Sequence, residues 1–229
     1  MSLISIVIPV LNEEMYLPVL LDRLQVFRRQ GHEIIVVDGD SKDDSLKIAQ
    51  TLADSAIVSS AGRARQMNTG AAVARGDMFL FLHCDTVLPD DALQIISSSL
   101  HDTGRQDKPY WGRFDVRLSS DRFVFRIIET LMNLRSRLTS VTTGDQAIFI
   151  ESCLFDQVGG FPEIPLMEDI AMSKKLKEIA SPICLKQKVT TSSRRWEKRG
   201  VVATVLLMWK LRLYYFLGMP ADKLSQLYR

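Results

Sequence analysis

The sequence has few cysteines and none of the spacings that cysteine chemistry requires. Its 229 residues include only Cys84, Cys153 and Cys184, which lie far apart and form no CxxC pair. Such a pattern predicts neither a disulfide framework nor a zinc site. We therefore expect three reduced thiols, as in a cytosolic protein.

Signals for export or for crossing a membrane are also missing. Met1 leads into an apolar stretch without a basic segment or a small-residue cleavage site. The most apolar run, Val201 to Leu217, is shorter than the roughly 20 residues that a spanning helix needs, and Lys210 and Arg212 interrupt it. The sequence therefore predicts a cytoplasmic protein.

Strong charge of either sign is absent as well. The net charge is +2, which gives no indication of a nucleic-acid partner. With 46% hydrophobic and 24% charged residues, the composition is that of a globular protein, and one domain is the simplest interpretation. The cationic residues concentrate at Arg194 to Arg199 and at Lys210 to Arg212.

The first hundred residues alternate short apolar runs with helical patterns. This alternation predicts βαβ units and an α/β fold with a Rossmann-like, mostly parallel central sheet flanked by helices. The runs are apolar on both faces, as strands covered on both sides by helices should be. The expected strands are Ile4 to Val10, Glu33 to Val37, Ala56 to Ser59 and Met78 to Leu82.

The polar stretch from His101 to Pro109 predicts a linker within the single domain of residues 1–229. It would separate a nucleotide-sugar-binding half, about 1–100, from an acceptor-binding half, about 110–229, which ends in a basic and apolar helix. The expected elements of the second half are strands at Gly112 to Leu118 and Gln146 to Ile150, a helix at Phe123 to Leu138, and a helix that begins at Glu168 and Asp169 and includes Lys174 to Ile179.

The turn after the first strand, Pro9 to Glu13, contains no glycine. Both the dinucleotide fingerprint and the Walker A phosphate loop are therefore absent, which disfavours nicotinamide oxidoreductases and P-loop NTPases. In an open parallel sheet, ligands bind beyond the carboxyl ends of the strands. That rule points to Pro9 to Glu13, to Asp38 to Ser41 and to His83 to Thr86, with Asn12 also expected to cap the first helix.

Acidic residues end two of the predicted strands. Asp38 suits hydrogen bonds to the imide of a base or to ribose hydroxyls, or else it forms a turn before Gly39. His83 and Asp85 should project to the same side, because side chains alternate along a strand. There they would hold Mn²⁺ or Mg²⁺ at the phosphates of a sugar donor. The alternative is that Asp85 caps the region of Pro89.

These segments together resemble family 2 glycosyltransferases. The stretches similar to successive N-terminal motifs of the family are Ser5 to Glu13, Val36 to Ser41 and Leu82 to Thr86. The stretches similar to its glycine-phenylalanine loop and its ED catalytic motif are Gly159 to Pro162 and Met167 to Asp169. The stretches that resemble a short bacterial subgroup of undefined substrate are Trp111 to Asp115 and Ser193 to Trp196.

The resemblance implies a GT-A fold, a nucleotide-diphosphate sugar donor, a divalent cation and inversion at the anomeric carbon. Asp85, with His83, would bind the Mn²⁺ or Mg²⁺ ion. Asp169, next to Glu168, would be the general base for the acceptor hydroxyl. The implied donor-binding residues are Pro9, Asn12, Glu13, Asp38, Asp40, Arg63, Arg65, Asn68 and Arg195.

Two positions depart from the family pattern. His83 stands where the family's DxD motif usually has its first carboxylate. The QxxRW motif of processive members is reduced to Arg195-Trp196 without its glutamine, which favours a single transfer over polysaccharide synthesis.

Two other functions and two roles for the C-terminal run stay open. A sugar nucleotidyltransferase shares the architecture but normally has a glycine-rich, arginine-containing loop after the first strand, and this chain lacks one. A degenerate, membrane-associated nucleotide-sugar-binding protein would accord with His83 and the basic tail. The run Val201 to Leu217 would either lie on an anionic membrane that presents a lipid-linked acceptor, or pack into the protein or a homodimer interface.

Overall fold

The computed structural model describes residues 3–102, 104 and 108–228. Within these residues, eight strands form one sheet in the order β3-β2-β1-β4-β7-β6-β8-β5. The strands are β1 (Ile4–Val10), β2 (Glu33–Asp38), β3 (Ser55–Val58), β4 (Met78–Phe81), β5 (Thr86–Val87), β6 (Trp111–Leu118), β7 (Phe149–Glu151) and β8 (Ile183–Thr191).

Helices cover the sheet and follow its last strand. They are α1 (Leu17–Arg29), α2 (Ser45–Leu52), α3 (Arg63–Val73), α4 (Ala92–Asp102), α5 (Phe123–Thr139), α6 (Ser152–Gln157), α7 (Glu168–Ile179), α8 (Arg194–Arg199), α9 (Val201–Phe216) and α10 (Ala221–Tyr228). The described part of the chain contains no helix of the length and hydropathy needed to cross a membrane.

The first four strands form the parallel sheet that their apolar pattern predicts. Strand β1 pairs in parallel with β2 and β4, and β2 pairs in parallel with β3. Successive side chains of β1 enter different cores, with Ile6 and Ile8 packing under α1 and α4 and Val7 packing under α3. The prediction that both faces are buried is confirmed for β1, β2 and β4, whereas the edge strand β3 is only partly buried and its Val58 is exposed.

The second half adds mixed strands to the same sheet. Strand β7 is antiparallel to β4 and β6, β8 is parallel to β6, and β5 is antiparallel to β8. Four of the seven strand pairs in the described residues are parallel, as predicted, and the antiparallel pairs all involve β5 or β7. The sequence did not predict β8, because its exposed centre from Lys186 to Lys188 lacks the apolar alternation of a strand.

Three local expectations differ from the structure. The strand expected from Gln146 begins only at Phe149, because residues 144–146 form a 3₁₀ turn in which Gln146 N–H donates to Thr143 O at 2.9 Å. Asn12 does not cap α1, which begins at Leu17 after Tyr16. In the predicted linker, His101 still belongs to α4, and residues 103 and 105–107 lie outside the described residues.

Buried polar contacts anchor β6 and its neighbours. Asp115 of β6 pairs with Arg113 and, at 2.7 Å, with Arg137 of α5. Trp111 is fully buried, and its Nε1 donates to Ala180 O at 2.7 Å. The Trp111 to Asp115 segment thus has a structural role in the fold. All three cysteines are free thiols, as expected.

Candidate active site

The carboxyl ends of β1 and β2 are joined by the side chain of Gln66. Gln66 is buried on α3, and its Nε2 donates to Val10 O at 2.7 Å and to Val37 O at 2.8 Å. Val10 O also accepts the Gly39 N–H at 2.8 Å, so the amide adds a second donor at the end of β1. The contact fixes the sheet edge on which Asp38 lies.

Asp38 combines deep burial with one unused oxygen. The residue is 2% exposed, and its Oδ2 accepts the Ser41 N–H at 2.8 Å. Its Oδ1 is buried without a hydrogen-bond partner in the described part of the chain. A buried acceptor is rarely left unpaired, so this oxygen is suited to receive an N–H or O–H from a ligand.

The other residues of this edge fix the loops or lie at the surface. Asn12 has a φ of 54°, and its Oδ1 accepts the Lys42 N–H at 2.8 Å, which joins the two loops. Pro9 lies within β1 opposite Val37. Asp40 is an exposed residue that pairs with Lys42 at 2.7 Å.

His83 and Asp85 lie in a turn, not on a strand. Strand β4 ends at Phe81, and the Thr86 N–H donates to His83 O at 3.0 Å. Strand alternation therefore does not place the two side chains on one side. His83 Nδ1 lies 3.6 Å from Asp145 Oδ1, whereas Asp85 Oδ2 lies 3.6 Å from Arg194 Nη2.

Arg194 holds the acidic residues of two loops. Its Nη2 donates to Glu13 Oε1 at 2.9 Å, and its guanidinium lies 4.3 Å from the ring centroid of Tyr16. Burial opposes its charge, but Glu13, Tyr16 and Asp85 outweigh burial and raise the pKa of Arg194. Glu13 is therefore already occupied by a cation from the start of α8.

Asp169 is held by backbone donors at the start of α7. Its Oδ1 accepts the Ile170 N–H at 2.7 Å, and its Oδ2 accepts the Gly144 N–H at 3.0 Å. Burial and the neighbouring charge of Glu168 raise the pKa of Asp169 to about 6, against the opposing effects of these two N–H groups and Arg63. A carboxylate with such a pKa can exchange a proton near neutral pH.

Arg63 is the cation that faces these carboxylates. Its Nη1 lies 3.4 Å from Oε1 of the buried Glu168. Burial opposes the charge of Arg63, but Glu168, Asp145, Asp169 and Asp85 outweigh burial and raise its pKa. The residues that line the small cleft around this group are Arg63, Met67, Phe81, His83, Gly144, Ile148, Phe161, Glu168 and Asp169.

Three residues expected to bind the donor have other contacts. Arg65 bonds to Ser60 Oγ at 2.7 Å and to Glu163 Oε2 at 3.2 Å. Asn68 donates to Phe161 O and accepts the Phe161 N–H, each at 2.9 Å. Arg195 is exposed and lies 4.8 Å from the ring centroid of Tyr228. The structure thus brings His83, Arg63, Glu168 and Asp169 together in the cleft. Arg65 and Asn68 do not line it, and Arg195 lies outside it but interacts electrostatically with Asp145 and Asp85.

Few side chains that could bind a metal ion lie close together in the described residues. Nowhere in residues 3–102, 104 and 108–228 do three His, Cys, Asp or Glu side chains form a group that could hold an ion. Mg²⁺ is commonly bound by one or two carboxylates together with substrate phosphates and water. Asp85 and the His83–Asp145 pair fit that smaller requirement.

Sequence reasoning missed Gln66, Asp145 and Arg194. Asp145 contacts His83 from the 3₁₀ turn, and an added methyl group on its neighbour Gly144 would overlap the His83 ring. Burial opposes its charge, but His83, Arg63 and Arg195 lower the pKa of Asp145. The available signal was an acidic residue next to a glycine immediately before a predicted strand.

Comparison with protein families and curated proteins gives two matches. The model of a family described as Glycosyl transferase family 2 matches residues 5–152. Undecaprenyl-phosphate 4-deoxy-4-formamido-L-arabinose transferase from Pseudomonas fluorescens is 37% identical over 101 residues, which are 39% of this chain and 30% of that protein. The chain therefore spans less than a third of this relative.

Solved structures share the fold at low identity. S. aureus TarS residues 1–349 is 21% identical, with a TM-score of 0.66 over 83% of this chain and 60% of that one, and TarS has also been solved with UDP-GlcNAc. A mannosyltransferase from Pyrobaculum calidifontis in complex with GDP-Man and Mn²⁺ is 18% identical, with a TM-score of 0.64 over 92% of this chain and 60% of that one. These similarities confirm the predicted GT-A fold.

The contact between Asn68 and Phe161 should stabilise the loop that leads to α7. In an Asn68→Ala variant, both backbone groups of Phe161 lose their partner, and we expect the free energy of unfolding to fall by about 1–3 kcal/mol. Thr69→Ala is the matched control, since Thr69 is partly exposed and its hydroxyl donates to Arg65 O of its own helix. Urea denaturation measures both, and equal stabilities would contradict the assigned role.

Proposed function

The chain belongs to the family 2 glycosyltransferases, and we propose that it transfers a sugar from a nucleotide-diphosphate donor to the hydroxyl group of an acceptor, with inversion at the anomeric carbon. The observation that carries this proposal is the position of Asp169. Its carboxylate is fixed by two backbone N–H groups beside a cleft that also contains Arg63 and His83.

The donor base would bind at Asp38. Uracil and guanine both present a ring N–H, which matches the buried, unpartnered Oδ1 of this residue. TarS binds UDP-GlcNAc and the Pyrobaculum enzyme binds GDP-Man, so relatives of this fold use either base. Pro9, Asn12 and Asp40 lie on the same edge and would border the nucleoside.

The diphosphate would lie between the turn at His83 and the cations of the cleft. Arg63, together with Arg195 of α8, would face its negative charge. Asp85 and His83 would hold a divalent cation, which when bound would neutralise the charge that develops on the leaving group. Asp145 contacts His83 and would orient its imidazole ring.

Asp169 would act as the general base. As the acceptor oxygen attacks the anomeric carbon, its proton passes to the Asp169 carboxylate, the new glycosidic bond forms, and the bond to the diphosphate oxygen breaks. The two N–H groups that Asp169 accepts leave lone pairs on both oxygens for this proton. Glu168 would position the arriving sugar and Arg63, with which it pairs.

The acceptor would be lipid-linked, because two neighbouring helices expose apolar faces. Val201 of α9 packs against the same cluster as Ile128 of α5, so the helices lie together. The exposed residues recur at helical spacing and are Phe123, Ile127, Leu131, Leu134 and Leu138 on α5 and Val202, Leu206, Trp209, Leu213 and Phe216 on α9. Basic residues of α8 lie beside them, which favours the anionic inner face of a membrane in the cytoplasm.

Two alternative functions make different predictions. A degenerate nucleotide-sugar-binding protein would bind the donor but would not turn it over, even with acceptor present. A sugar nucleotidyltransferase would release pyrophosphate from a nucleoside triphosphate and a sugar phosphate. Assays of these three outcomes on the same preparation separate the proposals.

Replacing Asp38 tests the donor site. In Asp38→Asn an amide N–H₂ would oppose the N–H of the base, so we expect donor binding about 10- to 100-fold weaker. Calorimetry with UDP-, GDP- and dTDP-sugars, with and without Mn²⁺, measures the affinity. The control variant is Asp22→Asn, because Asp22 is an exposed residue of α1. In Asp85→Ala, the affinity for the donor should no longer depend on Mn²⁺. A donor affinity that changes in neither the Asp38 variant nor the Asp85 variant would refute the proposed site.

Replacing Asp169 tests the general base. Asp169→Asn should lower kcat by about 10²- to 10⁴-fold while leaving the dissociation constant of the donor nearly unchanged. In the wild type, kcat/KM should rise with pH through a midpoint near 6, because the base works only when ionised and its pKa is raised to about 6. If the variant kept the same midpoint, another residue would be the base.

Replacing the exposed apolar residues tests the membrane contact. Leu131→Gln combined with Leu213→Gln should weaken sedimentation with phosphatidylglycerol-containing vesicles by about tenfold or more, since burying a leucine stabilises binding by about 1.5–3 kcal/mol. Val73→Gln, an exposed apolar residue on α3, is the control. If the double variant instead changed the molar mass in light scattering, the faces would form a homodimer interface.

A further inference from the structure

Arg135 is a half-buried arginine, two of whose nitrogen atoms are buried without partners. It lies on α5, and its Nε and Nη2 atoms are buried without a hydrogen-bond acceptor among the residues that the structure describes. A buried cation in this state is unfavourable. Other arginines of α5 are paired, since Arg126 lies 3.4 Å from Glu129 and Arg137 lies 2.7 Å from Asp115.

Arg212 of α9 is a second cation without a bonded partner. It is half-buried, and it forms no hydrogen bond or ion pair with the described part of the chain. Its neighbour Leu211 is fully buried against Ile170 of α7, which brings this turn of α9 to the start of that helix. Burial lowers the pKa of Arg212, although Asp169 and Asp145 attract its charge.

Arg135 and Arg212 both interact electrostatically with Asp169, and the packing of Leu211 on Ile170 brings Arg212 to the helix start where Asp169 lies. Burial, and then repulsion by Arg212 and Arg113, lowers the pKa of Arg135 to about 10, while Asp169 partly offsets them. Asp169 does not bond to either arginine, because its oxygens accept the N–H groups of Gly144 and Ile170. Two close arginines without a bonded anion are suited to bind a phosphate, which offers several acceptor oxygens and nearly two negative charges.

We propose that Arg135 and Arg212 bind a phosphate group carried by the acceptor substrate, beside the hydroxyl that Asp169 deprotonates. This inference rests on the proposed transfer reaction and narrows its acceptor to an anionic molecule. The donor diphosphate has other cations available, since Arg63 and Arg195 both interact with Asp85 and Asp145. Arg135 and Arg212 both interact with Asp169, so a phosphate bound by them would lie next to the proposed base.

Phosphate binding to nucleotide-saturated protein tests the site directly. Calorimetry with inorganic phosphate, in the presence of saturating UDP or GDP, should show binding that weakens about 10- to 100-fold in Arg135→Gln and in Arg212→Gln. Arg117→Gln is the matched control on β6, where the arginine is exposed and pairs with Asp121. Lys198→Gln controls for the basic surface of α8, and both controls should bind phosphate as the wild type does.

Thermal unfolding separates a binding role from a structural one. Without phosphate, Arg135→Gln should not lower Tm, because it removes an unpaired buried charge. If Arg135→Gln fails to fold, the half-buried Arg212→Gln decides the question alone. Phosphate affinity unchanged in the variants that fold, or weakened equally by Lys198→Gln, would overturn the proposal.

Two further measurements identify the source of the phosphate. If it is carried by a lipid, both arginine variants should lose binding to vesicles of phosphatidylcholine with phosphatidic acid, relative to phosphatidylcholine alone. If it is carried by a soluble molecule, glycerol phosphate should compete with inorganic phosphate for the site. The wild type and the arginine variants should then bind equally to vesicles with and without phosphatidic acid. Failure of the wild type to bind UDP or GDP would refute the transfer reaction. In that case, the phosphate titration repeated without nucleotide would still show whether Arg135 and Arg212 bind an anion.

Discussion

One buried amide holds the edge of the sheet on which the candidate site is built. Gln66 donates to the carbonyls of both Val10 and Val37, and so ties the ends of the two strands to α3. Because Gln66 belongs to α3, the same helix that begins with Arg63 and carries Asn68 is fixed against the strand ends. The strand end that carries Asp38, the cation of the cleft and the loop before α7 therefore take their positions from one short helix.

The parallel half of the fold was predictable because burial on both faces leaves a plain apolar signal. The position of Asp38 at a strand end was predictable for the same reason, since it directly follows such an apolar run. Ligands of open parallel sheets bind beyond the carboxyl ends of the strands, whatever the local sequence. Strand β8 was not predictable, because its exposed centre carries Lys186 and Lys188 and its pairing depends on distant residues of β6. The antiparallel insertion of β7 between β4 and β6 depends on similar long-range contacts.

The contacts within the site were the least predictable part. Arg194 and Glu13 are 181 positions apart, and no local pattern indicates that they meet. Asn68 lies in a motif that resembles a donor-binding segment, yet both polar atoms of its side chain bond to the backbone of Phe161. The sequence also could not predict which buried polar atoms lack a hydrogen-bond partner. Oδ1 of Asp38 and two nitrogens of Arg135 are such atoms, and their state depends on the positions of all their neighbours in the fold.

Gly144 lies between the two ends of this site. Its N–H holds the Asp169 carboxylate, and its bare Cα lies so close to His83 that no side chain would fit. A larger residue at position 144 would have to displace the imidazole ring, or shift the backbone whose N–H the Asp169 carboxylate accepts. This position should therefore tolerate substitution poorly, even though glycine contributes no functional group of its own.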